Sequence, residues 1–465
     1  MKKLYFIGFL LSFFTSYAQM DTEHWFAPMF SGTDISTAQS RVYLSTNQTA
    51  PVTAEIYYNN SLQYSVQVSK GNPIAVDIPP SWMITNDPGH SGTPVAMGFY
   101  IKSTQKIFAN YRFSIINHAE IITSKGLAGL GNEFYVSMAP LTMQLNHLNA
   151  TVGIIATEDN TSVTLSGYKA GVQFTDGSSA AVRTFTLNRG QSVVLEANSV
   201  RGAANKDGLI GAKIVSDKPV SVTNGNFNAI YTTKNSTNND ILMDQAVPVD
   251  RLGNQFIILK GNGTTDSDME QVLVVATQDG TAVTVHGVAS GVTLNAGEYT
   301  LVSGNNYKMR SGDVYNMSIE TSKNAYVYQL LAGTPLALTY ASGGMNFIPA
   351  LSCFLPNQID EIAFVDQIPY GTPLQPSVKL NIITEKNAKI TVNGTVPAAH
   401  LGPFPVDGNP SWVTYSMPYV TGNITIKSDK SVTAGIAGGN GAVGYGGYFA
   451  GFSSVPVISK TGDCF

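Results

Sequence analysis

Charge is what this 465-residue sequence has least of. Only 12% of its residues are Asp, Glu, Lys or Arg, about half the ~25% usual in soluble proteins. With 43% hydrophobic residues, the composition excludes a disordered chain, which needs high charge and few apolar side chains. The formal net charge of -4 supplies no basic footprint to neutralise phosphates, so a nucleic-acid binder is excluded. Cysteines number only two, a pair that invites a single disulfide where a protein is exported. The six histidines, His24, His90, His118, His147, His286 and His400, never fall three or four residues apart, so no helix-borne zinc pair exists. No Gly-x-Ser-x-Gly elbow is present, which removes one common hydrolase route. Outside the N-terminal segment, no apolar run approaches the ~20 residues that span a bilayer as a helix.

What is abundant is turn and strand material: 44 glycines, 22 tyrosines and many Ser, Thr and Asn, which suit β-strands joined by turns. Residues 1–18 read as a secretory signal peptide. Lys2 and Lys3 precede the apolar run Leu4 to Phe14, and Thr15-Ser16-Tyr17-Ala18 places small residues before a cut at Gln19. The apolar run is too short for a membrane span. An exported protein, secreted or at the outer cell surface, is expected.

The rest divides into four copies of one unit, with three landmarks recurring in order. The first is Thr, five residues, then an apolar β-branched residue and Thr. It reads Thr46…Val52-Thr53, Thr157…Val163-Thr164, Thr277…Val283-Thr284 and Thr384…Ile390-Thr391. A strand precedes each copy and polar residues follow the first Thr, which reads as a hairpin. The second is a turn glycine, Gly71, Gly190, Gly297 and Gly408, where positive φ is required. The third is Ile-x-[Ser/Thr]-x-Lys-x-[Val/Ala], as in Ile214–Val220 and Ile426–Val432, with weaker copies at Ile319–Ala325 and Ile101–Ile107. It reads as strand, polar turn, strand, with Pro219 marking a strand start. Spacings of about 105 to 122 residues and roughly seven short strands per unit predict antiparallel β-sandwiches. The expected architecture is all-β, a tandem array of four sandwich-like repeats of about 110 residues. A propeller-like closed array is the alternative. The expected units are 19–127, 128–249, 250–353 and 354–465.

Few residues point to chemistry. Asp266, Asp268 and Glu270 place carboxylates at alternate positions before the Val272–Ala276 strand. They are a candidate Ca²⁺ site, although Ca²⁺ takes 6–8 oxygens and an EF-hand pattern is absent. A solvated acidic loop is the plainer alternative. No other cofactor is expected. Gly439-Asn440-Gly441-Ala442-Val443-Gly444 matches Gly-x-Gly-x-x-Gly, but Tyr445–Gly451 after it is not helical, so a dinucleotide site is rejected in favour of a glycine-rich loop and strand. Trp82 and Trp412 are candidates for sugar stacking or for core plugs. Cys353 and Cys464 lie 111 residues apart at equivalent positions of successive units. In an extended array they are beyond the ~7 Å limit of a disulfide; a bridge requires the last strand to fold back. Both alternatives stand. The chain ends where a further unit would begin, as expected of a truncated or clipped precursor.

Asp244-Gln245-Ala246-Val247-Pro248-Val249-Asp250-Arg251-Leu252-Gly253-Asn254-Gln255-Phe256, the Ala276-Thr277…Thr284 segment, Gly211–Val220 and the opening His24-Trp25-Phe26-Ala27-Pro28 resemble the IgGFc-binding protein N-terminal domain family. The resemblance covers most of residues 20–465. It implies a large secreted or surface protein with adhesive or mucin-associated roles and no catalytic residues. Bacterial members often carry a C-terminal sorting domain, which this chain departs from. Immunoglobulin binding is a property of the animal namesake and is not carried over. The function expected is non-enzymatic adhesion or ligand binding, with loops contacting extracellular glycans or glycoproteins. A structural spacer or matrix component is the alternative, and a carbohydrate-active hydrolase a third.

Overall fold

The computed structural model describes residues 19–232, 239–264, 268–332, 343–352, 355–370, 377–441 and 443–449. Residues 1–18, Asp266, Cys353 and Cys464 lie outside them. Among the described residues the regular structure is β-strand with short 3₁₀ turns and no α-helix.

Long strands organise the fold, and they correct one expectation. The Ile-x-[Ser/Thr]-x-Lys segments read in sequence as two strands with a turn between. In three places the chain instead runs on as one strand: Phe99–Ile115, Lys213–Ala229 and Val314–Ala332. Each of these spine strands begins in one sheet and ends in another. The first half of Phe99–Ile115 lies between Val52–Tyr58 and Asp21–Phe26, and the second half between Gln39–Ser45 and His118–Thr123. The same pairing order recurs around the other two spines. In the last stretch the two halves separate into Ile424–Ser428 and Val432–Asn440, as the turn reading predicts. The polar residues mark a corner where a strand switches sheets. Pro219 therefore sits inside a strand, between Ser216, the last residue paired to Thr161–Ser166, and Val220, the first paired to Asn149–Ala156. Its missing N–H breaks no ladder there.

The threonine landmarks explain themselves at that corner. Thr46, Thr157, Thr277 and Thr384 donate their hydroxyls to the carbonyls of Lys106, Pro219, Asn324 and Ser431, at 2.8, 2.6, 2.8 and 2.8 Å. The landmark lysines answer from the other side: Lys218, Lys323 and Lys430 donate to the carbonyls of Asp159, Asp279 and Lys386. The segment after each threonine is thus not a hairpin. Asn149–Ala156 and Thr161–Ser166 do not pair with one another; they lie on opposite halves of the spine. Turn-forming residues serve an arch between sheets as well as they serve a hairpin, and only long-range pairing separates the two.

Alternation follows the layers. Thr161–Ser166 buries every second residue, whereas Asn149–Ala156 is buried throughout, as expected of a strand covered on both faces.

The array closes on itself. Each apolar core crosses a seam: one joins Val42, Tyr111 and Phe113 to Phe227, Ile241 and Met243; one joins Phe134 and Val152 to Leu273 and Tyr328; one joins Phe256 and Val274 to Val406 and Trp412. The last joins Ile359, Leu380 and Tyr445 to Met20, Phe108 and Ile121, so the end of the chain packs on its beginning. The turn glycines sit at these seams. A Cβ on Gly190 would lie 2.7 Å from Asn60, one on Gly297 3.0 Å from the Gly211 carbonyl and one on Gly408 2.3 Å from His286. Gly71 N–H donates to Glu361 Oε2 at 3.0 Å, across the closing seam. Buried Arg112 clamps the same seam, donating to the carbonyls of Ala363 and Gln367 at 2.6 and 2.7 Å and to that of Phe364, with Tyr43 beneath its guanidinium at 4.0 Å.

Four strands line the centre of this ring: His118–Thr123, Asp240–Gln245, Gly343–Phe347 and Val443–Phe449. Each is the outermost strand on its own spine, so its outward N–H groups face the other three strands without a sheet partner. Carboxylates take them. Glu120 Oε1 accepts from Ile121 and Gly446 at 2.9 and 3.2 Å, and Oε2 from Met345 and Met243 at 3.0 and 3.5 Å, which ties all four strands to one side chain. Asp240 accepts from Gly343 N–H, and Asp244 from Phe347 N–H at 3.0 Å. Two of these buried acids have a basic partner, Lys125 Nζ at 2.6 Å from Asp244 and His118 Nδ1 at 3.2 Å from Asp240.

Candidate functional site

Among the described residues, two of the concave regions contain a buried carboxylate.

The first is a cavity of about 200 Å³ whose lining includes Lys260, Thr264, Asp268, Glu270, Tyr307 and Tyr315. It holds two of the three carboxylates read as a Ca²⁺ candidate. Glu270 is committed to the backbone: Oε2 accepts from Gly261 N–H at 3.0 Å, and Oε1 from Gly263 and Ala332 N–H at 3.1 Å each. Glycine is needed at 261 for this wrap, because a Cβ there would lie 2.7 Å from Glu270 Oε1 and 2.8 Å from the Ala332 carbonyl. Asp268 is half-buried, with backbone φ of 58°. Among the described residues no group of three His, Cys, Asp or Glu side chains converges as a metal would require.

Two lysines stand against these acids. Lys260 Nζ donates to the Gly263 carbonyl and lies 5.3 Å from the centre of the Tyr315 ring. Lys379 reaches the carbonyls of Gly261 and Asp313 at 3.1 and 3.2 Å. Burial first, and then the charge of Lys260, push the Lys379 ammonium down to about 8. Tyr307 is 7% exposed, and its hydroxyl has no hydrogen-bond partner. The Gln329 side chain lies beside it; its amide donates to the Leu259 carbonyl at 2.6 Å and also opposes the upward push of burial on the Tyr307 hydroxyl.

The second is a more open cleft of about 400 Å³ at the seam between the first and second expected units, lined by Asp34, Asn86, Thr175, Glu196, Asn198 and Arg201 among others. Glu196 is its floor. Its carboxyl accepts from Asn149 and Asn198 amides at 3.3 and 3.5 Å and from the Thr175 hydroxyl. Burial raises it to about 7, against the opposing pull of those two amides and of Arg201. Asn149 also donates to the Phe30 carbonyl at 3.0 Å, and Asn86 to the Thr33 carbonyl at 3.3 Å, which hold the rim in place. Asp34, at the exposed lip, is held below its ordinary value by hydrogen bonds from the Ser36 hydroxyl and N–H.

The tryptophans are core plugs rather than exposed platforms. Trp82 and Trp412 are each 9% exposed, and Trp82 stacks on Tyr58 at 4.5 Å. His147 lies near enough to His118 to feel its charge. His24 is buried, with Nδ1 at 2.9 Å from Ser124 Oγ and Nε2 at 2.9 Å from the Ile107 carbonyl. The described residues of the glycine-rich motif lie at the end of strand Val432–Asn440 and the start of Val443–Phe449, and among the described residues no helix N-terminus follows to receive a pyrophosphate. Cys353 and Cys464 are beyond what the structure describes.

Sequence reasoning missed the axial acids and Glu196. The available signal was an acid inside an apolar strand, as in Ala119-Glu120-Ile121-Ile122 and Val193-Val194-Leu195-Glu196, since a buried acid demands partners.

A family profile described as IgGFc binding protein matches residues 122–438. The chain belongs to the IgGFc binding protein family. No curated protein matches it. Two solved structures give faint likenesses. Two B repeat units of the collagen binding protein of Staphylococcus aureus match at 8% identity and a TM-score of 0.10, over 92% of this chain and 100% of that one. Trypsin-activated alpha-2-macroglobulin from Escherichia coli matches at 8% identity and a TM-score of 0.12, over 93% and 43%. Likenesses at that level carry no argument about fold or function. The family is one of binding proteins.

Proposed function

We propose that this protein is an exported, non-enzymatic ligand-binding module built of four copies of one β unit, whose loop-bearing ends contact extracellular glycans or glycoproteins. The observation that carries this proposal is the pairing of rigid closure with polar concavities. The central strands are locked by buried carboxylates, while Asp34, Asn86, Asn198 and Arg201 line an open cleft at the loop end of a seam. Loops on a rigid scaffold are where recognition is usually placed, and clustered carboxylate, amide and guanidinium groups suit polyhydroxylated partners. The signal-like segment 1–18 supports export, and the binding family supports an extracellular ligand. A length-giving spacer finds no support in the fold, because closure brings the last stretch of chain back onto the first.

The test is a glycan array and a cell-surface binding assay with residues 19–465, run beside Arg201→Ala. Saturable binding to a glycan or glycoprotein that weakens in the variant is expected. Failure to bind any glycan, glycoprotein or cell surface refutes the proposal.

A further inference from the structure

Of the buried cations in this fold, Lys125 is placed unlike the rest. Its side chain is fully buried, and that of Asp244 is 3% exposed. Lys125 Nζ lies 2.6 Å from Asp244 Oδ1, its one hydrogen-bond partner among the described residues. An ammonium carries three donors, so burial here leaves two of them idle. Lys260 and Lys379, by contrast, donate to backbone carbonyls, which resist attack by an amine. The backbone around the pair is held in place. Lys125 N–H donates to Gln245 Oε1 at 2.7 Å, and the Gln245 amide donates to the Trp25 carbonyl and to Ser221 Oγ at 3.0 and 2.7 Å. The carboxyl is oriented as well: Gln245 N–H donates to Oδ1 at 2.8 Å and Phe347 N–H to Oδ2 at 3.0 Å. An amine and a carboxyl fixed in contact and shut off from water have the proximity of an intramolecular reaction. Burial lowers the Lys125 ammonium and raises the Asp244 carboxyl, each against the pull of its partner's charge, which brings the neutral pair that condensation needs within reach. A buried ion pair returns little for its desolvation, whereas an amide carries no charge and one donor in place of three.

We propose that the folded chain joins Lys125 to Asp244 through an isopeptide bond, a covalent tie between the segment after His118–Thr123 and the axial strand Asp240–Gln245, with the two residues 119 positions apart in sequence. One Nζ proton passes to Oδ1, and the freed lone pair attacks Cγ to make the Nζ–Cγ bond. A second Nζ proton then passes to Oδ1, the Cγ–Oδ1 bond breaks, and one water leaves. Oδ2 stays as the amide oxygen, and Phe347 N–H is placed to stabilise the negative charge that Oδ2 carries in the tetrahedral intermediate. The ammonium and the carboxylate supply every atom and electron of the amide and the water, so no further reagent enters.

The experiment is the intact mass of folded residues 19–465, read after denaturation, beside Lys125→Arg. The parent is expected one water below the mass of its sequence. Lys125→Arg keeps the charge but removes the amine nucleophile, and it is expected at its full sequence mass. Cyclisation of an N-terminal Gln19 loses ammonia instead, and does so equally in both proteins. Tryptic digestion of the parent is expected to leave Lys125 uncleaved and attached to the peptide that bears Asp244. A parent at its full sequence mass overturns the proposal, whether or not the variant folds. A missing water that persists in Lys125→Arg overturns it, as does a missing water with no linkage between these two peptides.

Discussion

Ring closure depends on Glu120 more than on any other side chain at the axis. Its carboxylate receives backbone N–H groups from all four central strands, at 2.9, 3.0, 3.2 and 3.5 Å. Burial pushes this carboxyl well above its ordinary value, while the N–H groups of Ile121, Gly446 and Met345 pull it down. With N–H donors on both oxygens, a proton on either finds no acceptor, so these donors work against the rise that burial imposes. Glu120→Gln keeps the shape and converts one oxygen into a donor. The amide NH₂ then faces either Ile121 and Gly446 or Met345 and Met243. The cheaper orientation sacrifices the Oε2 side, which leaves Met345 N–H unpaired and breaks the longer hydrogen bond from Met243. A buried unsatisfied donor costs about 1–3 kcal/mol, so a loss of about 2–4 kcal/mol is expected, reduced by whatever is recovered from not burying a charge. Urea and calorimetric unfolding of residues 19–465 measure it, with the exposed Glu158→Gln as a control expected within about 0.5 kcal/mol of the parent. A Glu120→Gln protein as stable as that control refutes the idea that this carboxylate pins the ring.

The seams and the cleft give further expectations. A Cβ at Gly153 would lie 1.7 Å from the Pro28 carbonyl, so Gly153→Ala forces the first seam apart and should cost more than about 3 kcal/mol, like other severe overpacking. Gly71→Ala, with φ of 78° and nothing near the new methyl, should cost only about 1 kcal/mol; equal costs in urea unfolding contradict the seam assignment. Glu196 has its carboxyl raised from 4.5 to about 7 by burial, so the fold favours its protonated form. Its contribution to stability is complete below about pH 4.5 and is lost as pH rises through 7, a swing of about 3 kcal/mol at 1.36 per unit. Unfolding midpoints should therefore fall between pH 5 and pH 8, and Glu196→Gln should flatten that change; an unaltered slope in the variant rules out Glu196 as its source.

Much of the local structure is legible in the sequence. The threonine, glycine and lysine landmarks stand out because each satisfies a local rule: a hydroxyl for a corner carbonyl, a positive φ, an ammonium for a turn carbonyl. What those rules build is not local. The segment after Thr157 has the composition of a hairpin, and Ser216–Pro219 that of a turn, because arch, hairpin and corner draw on the same polar residues. Spacing finds the candidate carboxylates Asp268 and Glu270, but it cannot show that Glu270 is wrapped by the N–H groups of Gly261, Gly263 and Ala332. Of the axial strand Asp240–Gln245 only Asp244 and Gln245 fall within a resembling motif, and the segment does not read as a strand because Asp240 and Asp244 interrupt its apolar pattern.

By itself the sequence determined the all-β class, the recurrence of its landmarks and the family, since all three depend on local patterning and residue identity along the chain. Tertiary structure decided that the array is a ring rather than a rod, that the turn glycines face neighbouring units, and that Glu120 is a hub rather than a misplaced acid. Those outcomes depend on contacts between residues hundreds of positions apart, such as Glu120 with Gly446 and Arg112 with Ala363. Strand periodicity specifies which faces must be buried, and closure specifies what buries them.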